Sequence, residues 1–378
     1  MEAILRKLIS FPTISQTSNE ELINYVNKYL KKFNVHGELI ESEKGQFNFH
    51  CIIGPKKNGG IIFSGHTDVV PIVGQNWKTD PFQLLQKNKK YYGRGTCDMK
   101  GFIAVCLSII PKIKIEELKK PLHLIFSYDE EIGCVGIQKL KPFLRKLKPR
   151  PSFCVVGEPT EMQIINQHKG KKNFSVTFFG LEAHSSLLED GVNAINYCNK
   201  FINYLNKLQK QLIDKFRNKN FSPAYPTINI GIINGGLAVN IIPMKCNLEF
   251  EIRDTPEMQS ELIIKDIKKF LKDLKQKMKN QNKKCRIIFE IKNNFPPLFT
   301  KENSEIISLC LKLLRKNNTS TVSFGTEAGV FSDLGFETIV CGPGSIKQAH
   351  KPNEYIDINQ LKKCEIFLLN LVGELYKK

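Results

Sequence analysis

Apolar residues fall into two rhythms along this chain. The first is a set of short, unbroken apolar runs bounded by glycine, proline or small residues: Gly60-Ile61-Ile62-Phe63-Ser64, Pro121-Leu122-His123-Leu124-Ile125-Phe126-Ser127, Ser152-Phe153-Cys154-Val155-Val156 and Thr338-Ile339-Val340-Cys341. Runs of that length without alternation predict strands buried on both faces. Between and before them the spacing is helical, with helices expected over 2–10, 19–33 and from Phe102 to Lys112. Strands separated by helices place this part of the chain in the α/β class, with its sheet covered on both sides.

The middle of the chain has a different rhythm. Asn173–Gly180 alternates partially, as a half-covered strand does. A helix is expected over 191–212, with Ile195, Cys198, Phe201, Ile202, Leu205, Leu208 and Leu212 on one face. Thr227–Ile233 and Cys246–Arg253 read as a strand pair. A second helix over 257–279 aligns Ile263, Ile267, Phe270, Leu271, Leu274 and Met278, and Arg286–Ile291 is a last strand. This βαββαβ order is that of a ferredoxin-like unit. It interrupts the α/β pattern, so three segments are expected: 1–171 and 293–378 forming one domain, and 172–292 inserted in it.

Composition narrows the classes. The chain has 378 residues, 41% hydrophobic and 25% charged, enough to bury a core. No apolar run approaches the roughly 18 residues that span a bilayer, so no membrane partner is expected. The opening Met-Glu-Ala-Ile-Leu-Arg-Lys-Leu-Ile-Ser reads as an amphipathic helix rather than a secretory leader, which implies a cytoplasmic protein. Eleven cysteines, odd in number and without a C-x-x-C pair, argue against a disulfide framework and a cysteine zinc knuckle. The formal charge is +19. Its lysines are spread along helical stretches such as 207–219 and 265–284, where they form the polar face, and no zinc finger, aromatic RNA signature or arginine-rich stretch accompanies them. The charge is read as solvated surface, and no nucleic-acid partner is expected.

Candidate chemistry gathers where the buried strands end. Gly65-His66-Thr67-Asp68 follows the first, Asp129-Glu130-Glu131 the second and Gly157-Glu158-Pro159-Thr160 the third. Gly342-Pro343-Gly344-Ser345 follows the fourth and leads to His350, while the loop Gly93-Arg94-Gly95-Thr96-Cys97-Asp98 lies between the first two. In open α/β sheets, sites form beyond the carboxyl ends of strands. Each piece alone has an ordinary reading: His66 as a hydrogen-bonded loop residue, Asp98 as a helix cap, Glu130-Glu131 as surface charge, Glu158 as part of a turn. Together, two histidines and several carboxylates converging on one edge suit a divalent metal such as zinc.

These stretches resemble the co-catalytic metallo-hydrolases, a family of dinuclear-zinc enzymes that holds deacetylases, desuccinylases, aminoacylases and glutamate-releasing carboxypeptidases. The matching segments are Gly65–Pro71, Gly93–Gly101, Asp129–Glu131, Gly157–Thr160 and Gly342–Ser345 with Gln348–His350, so the resemblance spans most of the chain. It implies a mixed sheet of zinc-peptidase type with an inserted dimerisation domain. It also implies two divalent ions per subunit, zinc or cobalt, bridged by Asp98, with His66 and Glu158 at one site and Glu131 and His350 at the other. Asp68 would orient His66, and Glu130 would be the general base. If the segment is extended, adjacent side chains point apart, leaving Glu131 to the metal and Glu130 to water and substrate. His184, in Gly180-Leu181-Glu182-Ala183-His184, would reach a partner subunit's site and stabilise the oxyanion, although the charged Glu182 stands where a small residue is common. Asn240 and Arg253 match substrate-binding positions, Arg253 suiting a carboxylate; a salt bridge to a neighbouring acid is its ordinary reading.

Within the family, Gly342–Ile356 and Gly325-Thr326-Glu327 look more like the branch acting on N2-acetyl-L-ornithine, in arginine biosynthesis, than the desuccinylase branch. Gly325, Thr326 and Glu327 are thus candidate substrate contacts, Glu327 for a distal ammonium or as a loop brace. A desuccinylase or a broader N-acyl-amino-acid deacylase would share every metal ligand, and a basic binding protein with a vestigial metal site is the remote alternative.

Overall fold

The computed structural model describes residues 1–377, in two compact units. One comprises Met1–His168 together with the chain from Leu298 onward, the other Lys169–Pro297. The second is a few residues wider at each end than 172–292, because its first and last strands in the chain, Lys171–Phe179 and Arg286–Phe295, run further than their apolar cores.

The first unit is built on a nine-stranded mixed sheet. Its path runs Gly37–Glu43, Gln46–Ile53, Leu122–Ser127, Ile61–His66, Phe153–Pro159, Glu337–Gly342, Ile165–His168 and Leu298–Phe299, with Ser320–Val322 paired to Ile165–His168. The four strands expected from unbroken apolar runs are its centre. They pair in parallel, and Ile61–His66 and Leu122–Ser127 are buried at every position. Parallel pairing points the carboxyl ends of all four the same way, so their trailing loops meet at one edge. The antiparallel hairpin Gly37–Glu43 and Gln46–Ile53 extends one side.

Helices cover the sheet. Glu2–Ile9 and Glu20–Lys31 are amphipathic, burying Leu5, Leu8, Ile9, Leu22, Ile23, Val26 and Leu30. Lys100–Ile109 is buried along its whole length, as a helix apolar all round must be. It starts at Lys100, two residues earlier than the apolar pattern indicates, and its one charge is accommodated by Lys100 Nζ donating to the Phe11 carbonyl at 2.7 Å. Phe102 on this helix lies so close to the sheet that a Cβ at Gly157 would sit 2.0 Å from its ring. Glycine at 157 is what lets helix and strand approach next to Glu158.

The second unit is a four-stranded antiparallel sheet in the order Thr227–Gly235, Lys245–Arg253, Lys171–Phe179, Arg286–Phe295. The helices Ala194–Lys215 and Ser260–Gln281 share a separate core with it, centred on Phe174, Phe178, Phe201, Leu248, Phe250 and Ile267. This is the ferredoxin-like arrangement. All eleven cysteines are buried and unpaired. No helix among the described residues is long and apolar enough to cross a membrane.

Candidate metal centre and active site

His66 closes the strand Ile61–His66, and the turn after it is pinned to the next strand by Thr67, whose N–H and hydroxyl both donate to the Ser127 carbonyl at 2.8 Å. The imidazole is wholly buried. Its Nδ1 lies 3.0 Å from the Asp68 carbonyl and 3.3 Å from Asp68 Oδ1. Its Nε2 faces Asp98 Oδ1 at 3.1 Å and Glu158 Oε1 at 3.6 Å. The Asp68 carboxylate also accepts the Ser15 hydroxyl at 2.8 Å and the N–H groups of Glu130 at 3.0 Å and Glu131 at 3.3 Å. One aspartate therefore fixes the first histidine and the acidic pair that follows the neighbouring strand.

Asp98 divides its carboxylate. Oδ1 belongs to His66, whereas Oδ2 lies 3.4 Å from His350 Nε2, which in turn is 2.8 Å from Glu131 Oε2. Two donor groups thus form around one aspartate: His66 with Glu158, and His350 with Glu131. His350 stands in a turn with φ +63°, a left-handed conformation that a non-glycine residue keeps when its surroundings hold it.

The acidic pair is not extended. The chain leaves Leu122–Ser127 and turns at Asp129, φ +49°, and the Glu130 carbonyl accepts the N–H groups of Gly133 and Cys134. The separation of the two side chains comes from this turn rather than from strand alternation. Glu131 meets His350, while a Glu130 oxygen lies within 4.8 Å of ligand atoms on His66 and Glu158. Cys134 Sγ donates to Glu130 Oε1 at 3.2 Å.

Burial would oppose charge on every one of these groups, and their neighbours decide the outcome. Burial, assisted by the surrounding carboxylates, pushes Glu130 up to about 8 and Glu131 up to about 7, and raises Glu158 well above the carboxylate range. At Asp98 burial is outweighed by hydrogen bonds from His350 and His66, and its pKa falls. At His66 burial is outweighed by bonds to Asp68 and Asp98, and its pKa rises well above 6.5; bonds to Asp98 and Glu131 raise His350 to about 10. Four buried carboxylates thus crowd two imidazoles. The sets His66–Glu130–Glu158 and His66–Asp98–Glu131 each bring their ligand atoms within 4.8 Å of one another. Such an oxygen-rich set with imidazole nitrogen fits a divalent ion, which would neutralise the carboxylates' mutual repulsion.

The remaining expected residues are Gly325, Thr326 and Glu327 in the first unit and His184, Asn240 and Arg253 in the second. Thr326 is buried with Oγ1 3.2 Å from His168 Nε2, and Gly325 is partly exposed beside it. Glu327 sits in a bracing arrangement. It is wholly buried, and both its oxygens accept hydroxyls, from Ser64 at 2.7 Å and Ser127 at 2.6 Å, tying two central strands together just before their ligand-bearing ends. In the second unit His184 is exposed and bridges to Ile241, while the Ser185 N–H donates to the Asn240 carbonyl at 3.0 Å. Arg253 Nε pairs with Glu251 Oε1 at 2.9 Å, the salt bridge that was its ordinary reading.

Two residues that shape the site lie inside stretches noted in the sequence but have no role assigned there. Asp129 accepts Gln16 N–H at 2.6 Å and Gln46 Nε2 at 2.8 Å, anchoring the turn before Glu130. Glu354, four residues past His350, accepts three backbone N–H groups of the Asp98 loop.

A profile of the family described as Peptidase family M20/M25/M40 matches residues 62–374. A relative from Buchnera aphidicola subsp. Schizaphis graminum, named acetylornithine deacetylase, is 35% identical over 98% of this chain and 96% of its own. Among solved structures, an M20-family metallo-carboxypeptidase from Sulfolobus solfataricus superposes with a TM-score of 0.77 at 21% identity, over 99% of this chain and 98% of that one. A Bacillus subtilis protein described as a dinuclear metal-binding M20 peptidase gives 0.67 at 13% identity, over 98% and 96%. These two likenesses concern the fold.

Proposed function

Since the chain belongs to peptidase family M20/M25/M40, we propose that it is a dinuclear metallo-hydrolase that converts N2-acetyl-L-ornithine and water to L-ornithine and acetate, a step of arginine biosynthesis in the cytoplasm. The substrate is supported by the near-full-length relatives named acetylornithine deacetylase. A reducing compartment suits eleven unpaired cysteines. The observation that carries the dinuclear reading is the split carboxylate of Asp98, one oxygen in each of two donor groups.

His66, Glu158 and Asp98 would hold one ion, and Glu131, His350 and Asp98 the other. Divalent ions there would polarise the acyl carbonyl and acidify a water, and zinc and cobalt both accept these donors. Glu130 takes the proton from the attacking water and delivers it to the leaving amine as the C–N bond breaks. The Cys134 thiol, donating to Glu130 Oε1, holds that carboxylate in place. Asp68 fixes the ring of His66 and leaves Nε2 for the metal.

The inserted unit would contribute the rest. Its outer strand Thr227–Gly235 leaves an edge, with Ile232 and Ile233 about half exposed at 49% and 51%. Pairing two such edges would make a homodimer. His184 Nδ1 accepts the Ser186 N–H at 3.2 Å, which leaves Nε2 as the protonated donor for an oxyanion in the partner's site. Asn240 and Arg253 are the proposed substrate contacts of this unit.

Metal analysis and a substrate panel test the reading. Two ions per chain and fastest hydrolysis of N2-acetyl-L-ornithine are expected, and a preference for N-succinyl-diaminopimelate would overturn the substrate. For the dimer, inactive His184→Ala and inactive Glu130→Ala chains are mixed under subunit exchange. Part of the activity should return; exchange verified by mass without recovery would remove His184 from action in trans.

A further inference from the structure

The two donor groups around Asp98 differ in what supports them. His66 and Glu158 lie on the strands Ile61–His66 and Phe153–Pro159, held by the ladders of the central sheet. Asp98 and His350 lie in turns. What holds those turns is a buried carboxylate. Glu354, 1% exposed, accepts the backbone N–H groups of Cys97 at 2.8 Å and Asp98 at 3.1 Å on Oε1, and that of Gly95 at 3.0 Å on Oε2. Oε2 also accepts Arg94 Nη1 at 2.9 Å. Arg94, equally buried, donates from Nη2 to Gln75 Oε1 at 2.5 Å, and Gln75 Nε2 donates to the carbonyl of His350 at 2.9 Å.

The bonds form an unbroken course from the Asp98 N–H, through Glu354, Arg94 and Gln75, to the His350 carbonyl. We propose that Glu354, Arg94 and Gln75 are positioning residues that set the separation of Asp98 and His350 and thereby the affinity of the Asp98–Glu131–His350 metal site. The inference rests on the dinuclear reading above. None of the three touches the ions or the substrate; they act through the backbone of the two ligands.

The arrangement is more than a fold brace. Its terminal bonds fall on the ligand residues themselves, and one of those, His350, holds a left-handed backbone conformation with φ +63°. Glu354 is matched to its task because its two oxygens accept four donors, three of them backbone groups that would otherwise be buried without partners. Arg94 supplies the countercharge that keeps a buried carboxylate tolerable. Damage to the strap should therefore be selective. The site on the sheet strands shares only Asp98 with the strap and keeps His66 and Glu158 in place, whereas the site spanning the two turns has both Asp98 and His350 released.

The test is a Co2+ titration of metal-free wild type, Glu354→Gln, Gln75→Ala and His350→Ala, followed by cobalt absorption and by competition with a chelator. Wild type should take up two equivalents. Glu354→Gln should raise the Kd of one equivalent about 10–100-fold, the range measured when groups behind metal ligands are removed, and weaken the other, which shares only Asp98 with the strap, by less. The weakened equivalent should be the one that His350→Ala lacks. Gln75→Ala, which leaves every N–H bond to Glu354 in place, should weaken the same equivalent by less. Equal weakening of both equivalents, or wild-type affinity in Gln75→Ala, overturns the inference even if Glu354→Gln fails to fold. A wild type that binds a single ion overturns the proposed function, and this inference with it.

Discussion

Two buried histidine settings in the same sheet, His50 with His123 and His66 alone, have opposite electrostatics. His123 sits on Leu122–Ser127, next to the strand that ends in His66, and stacks on His50 with Nδ1 3.1 Å from His50 Nε2. Burial pushes His50 down to about 4; burial and the neighbouring His50 push His123 down to about 3. His66 is no less buried, yet its pKa rises, because Asp68 and Asp98 flank its two nitrogens. The comparison separates position from function. A buried imidazole is held neutral unless carboxylates meet it, and here Asp68 and Asp98 meet His66 at the strand end while none among the described residues bonds His50 or His123.

Breaking the carboxylate side of this contrast should cost most. Replacing Glu130 with Gln should lower kcat by about 10²–10⁴-fold, the usual contribution of a general base, while metal content stays near two ions. A fully metallated variant with appreciable turnover would remove Glu130 from that role. Next come the ligands: His66→Ala and His350→Ala should each lose one ion, and a different one. Equal loss of both ions from either variant would mean that the two groups are not separate sites.

Asp68→Asn sharpens the contrast by making His66 resemble His123. Metal affinity should fall about 10–100-fold, and in the metal-free protein the His66 resonance should titrate at lower pH than in wild type. The smallest effect belongs to the uncharged cluster. His50 and His123 have folded pKa values below 6.5, so the unfolded chain binds more protons in that range. The stability they contribute is complete above pH 6.5 and is lost as pH falls from 6.5 toward 4 and 3. Denaturant melts at pH 4.5 should show the His50→Gln, His123→Gln double variant losing less stability relative to pH 7 than wild type; identical acid limbs would sink the assignment.

The sheet and the gathering of His66, Asp98, Glu130, Glu131 and Glu158 at one edge could be read from the chain because each rests on local pattern. Unbroken runs such as Ile61–Phe63 report burial on both faces, and ligand-type residues at four strand ends report a shared edge. The resemblance then assigned Asp98 to the bridge, and its two oxygens do face different partners. What escaped depends on contacts distant in sequence. Glu327 bonds Ser64 and Ser127, far back along the chain, and nothing in Gly325-Thr326-Glu327 distinguishes a brace from a substrate contact. Glu354 reaches Gly95, Cys97 and Asp98 across more than 250 residues. The turn at Asp129 was hidden for another reason: its positive φ occurs in a residue type that also fits an extended segment.

The cysteines give the molecule a chemical gauge of its own integrity. All eleven thiols are shut away from solvent, and burial raises the pKa of those at 51, 106, 154, 310 and 364, so little reactive thiolate is presented to a reagent. Both units carry buried thiols, with Cys198, Cys246 and Cys285 in the inserted one. A short pulse of an alkylating reagent, read by intact mass, should leave the native chain unmodified and mark the unfolded chain up to eleven times. Digestion and peptide mass would then reveal which unit opens first, with no dye, tag or added probe.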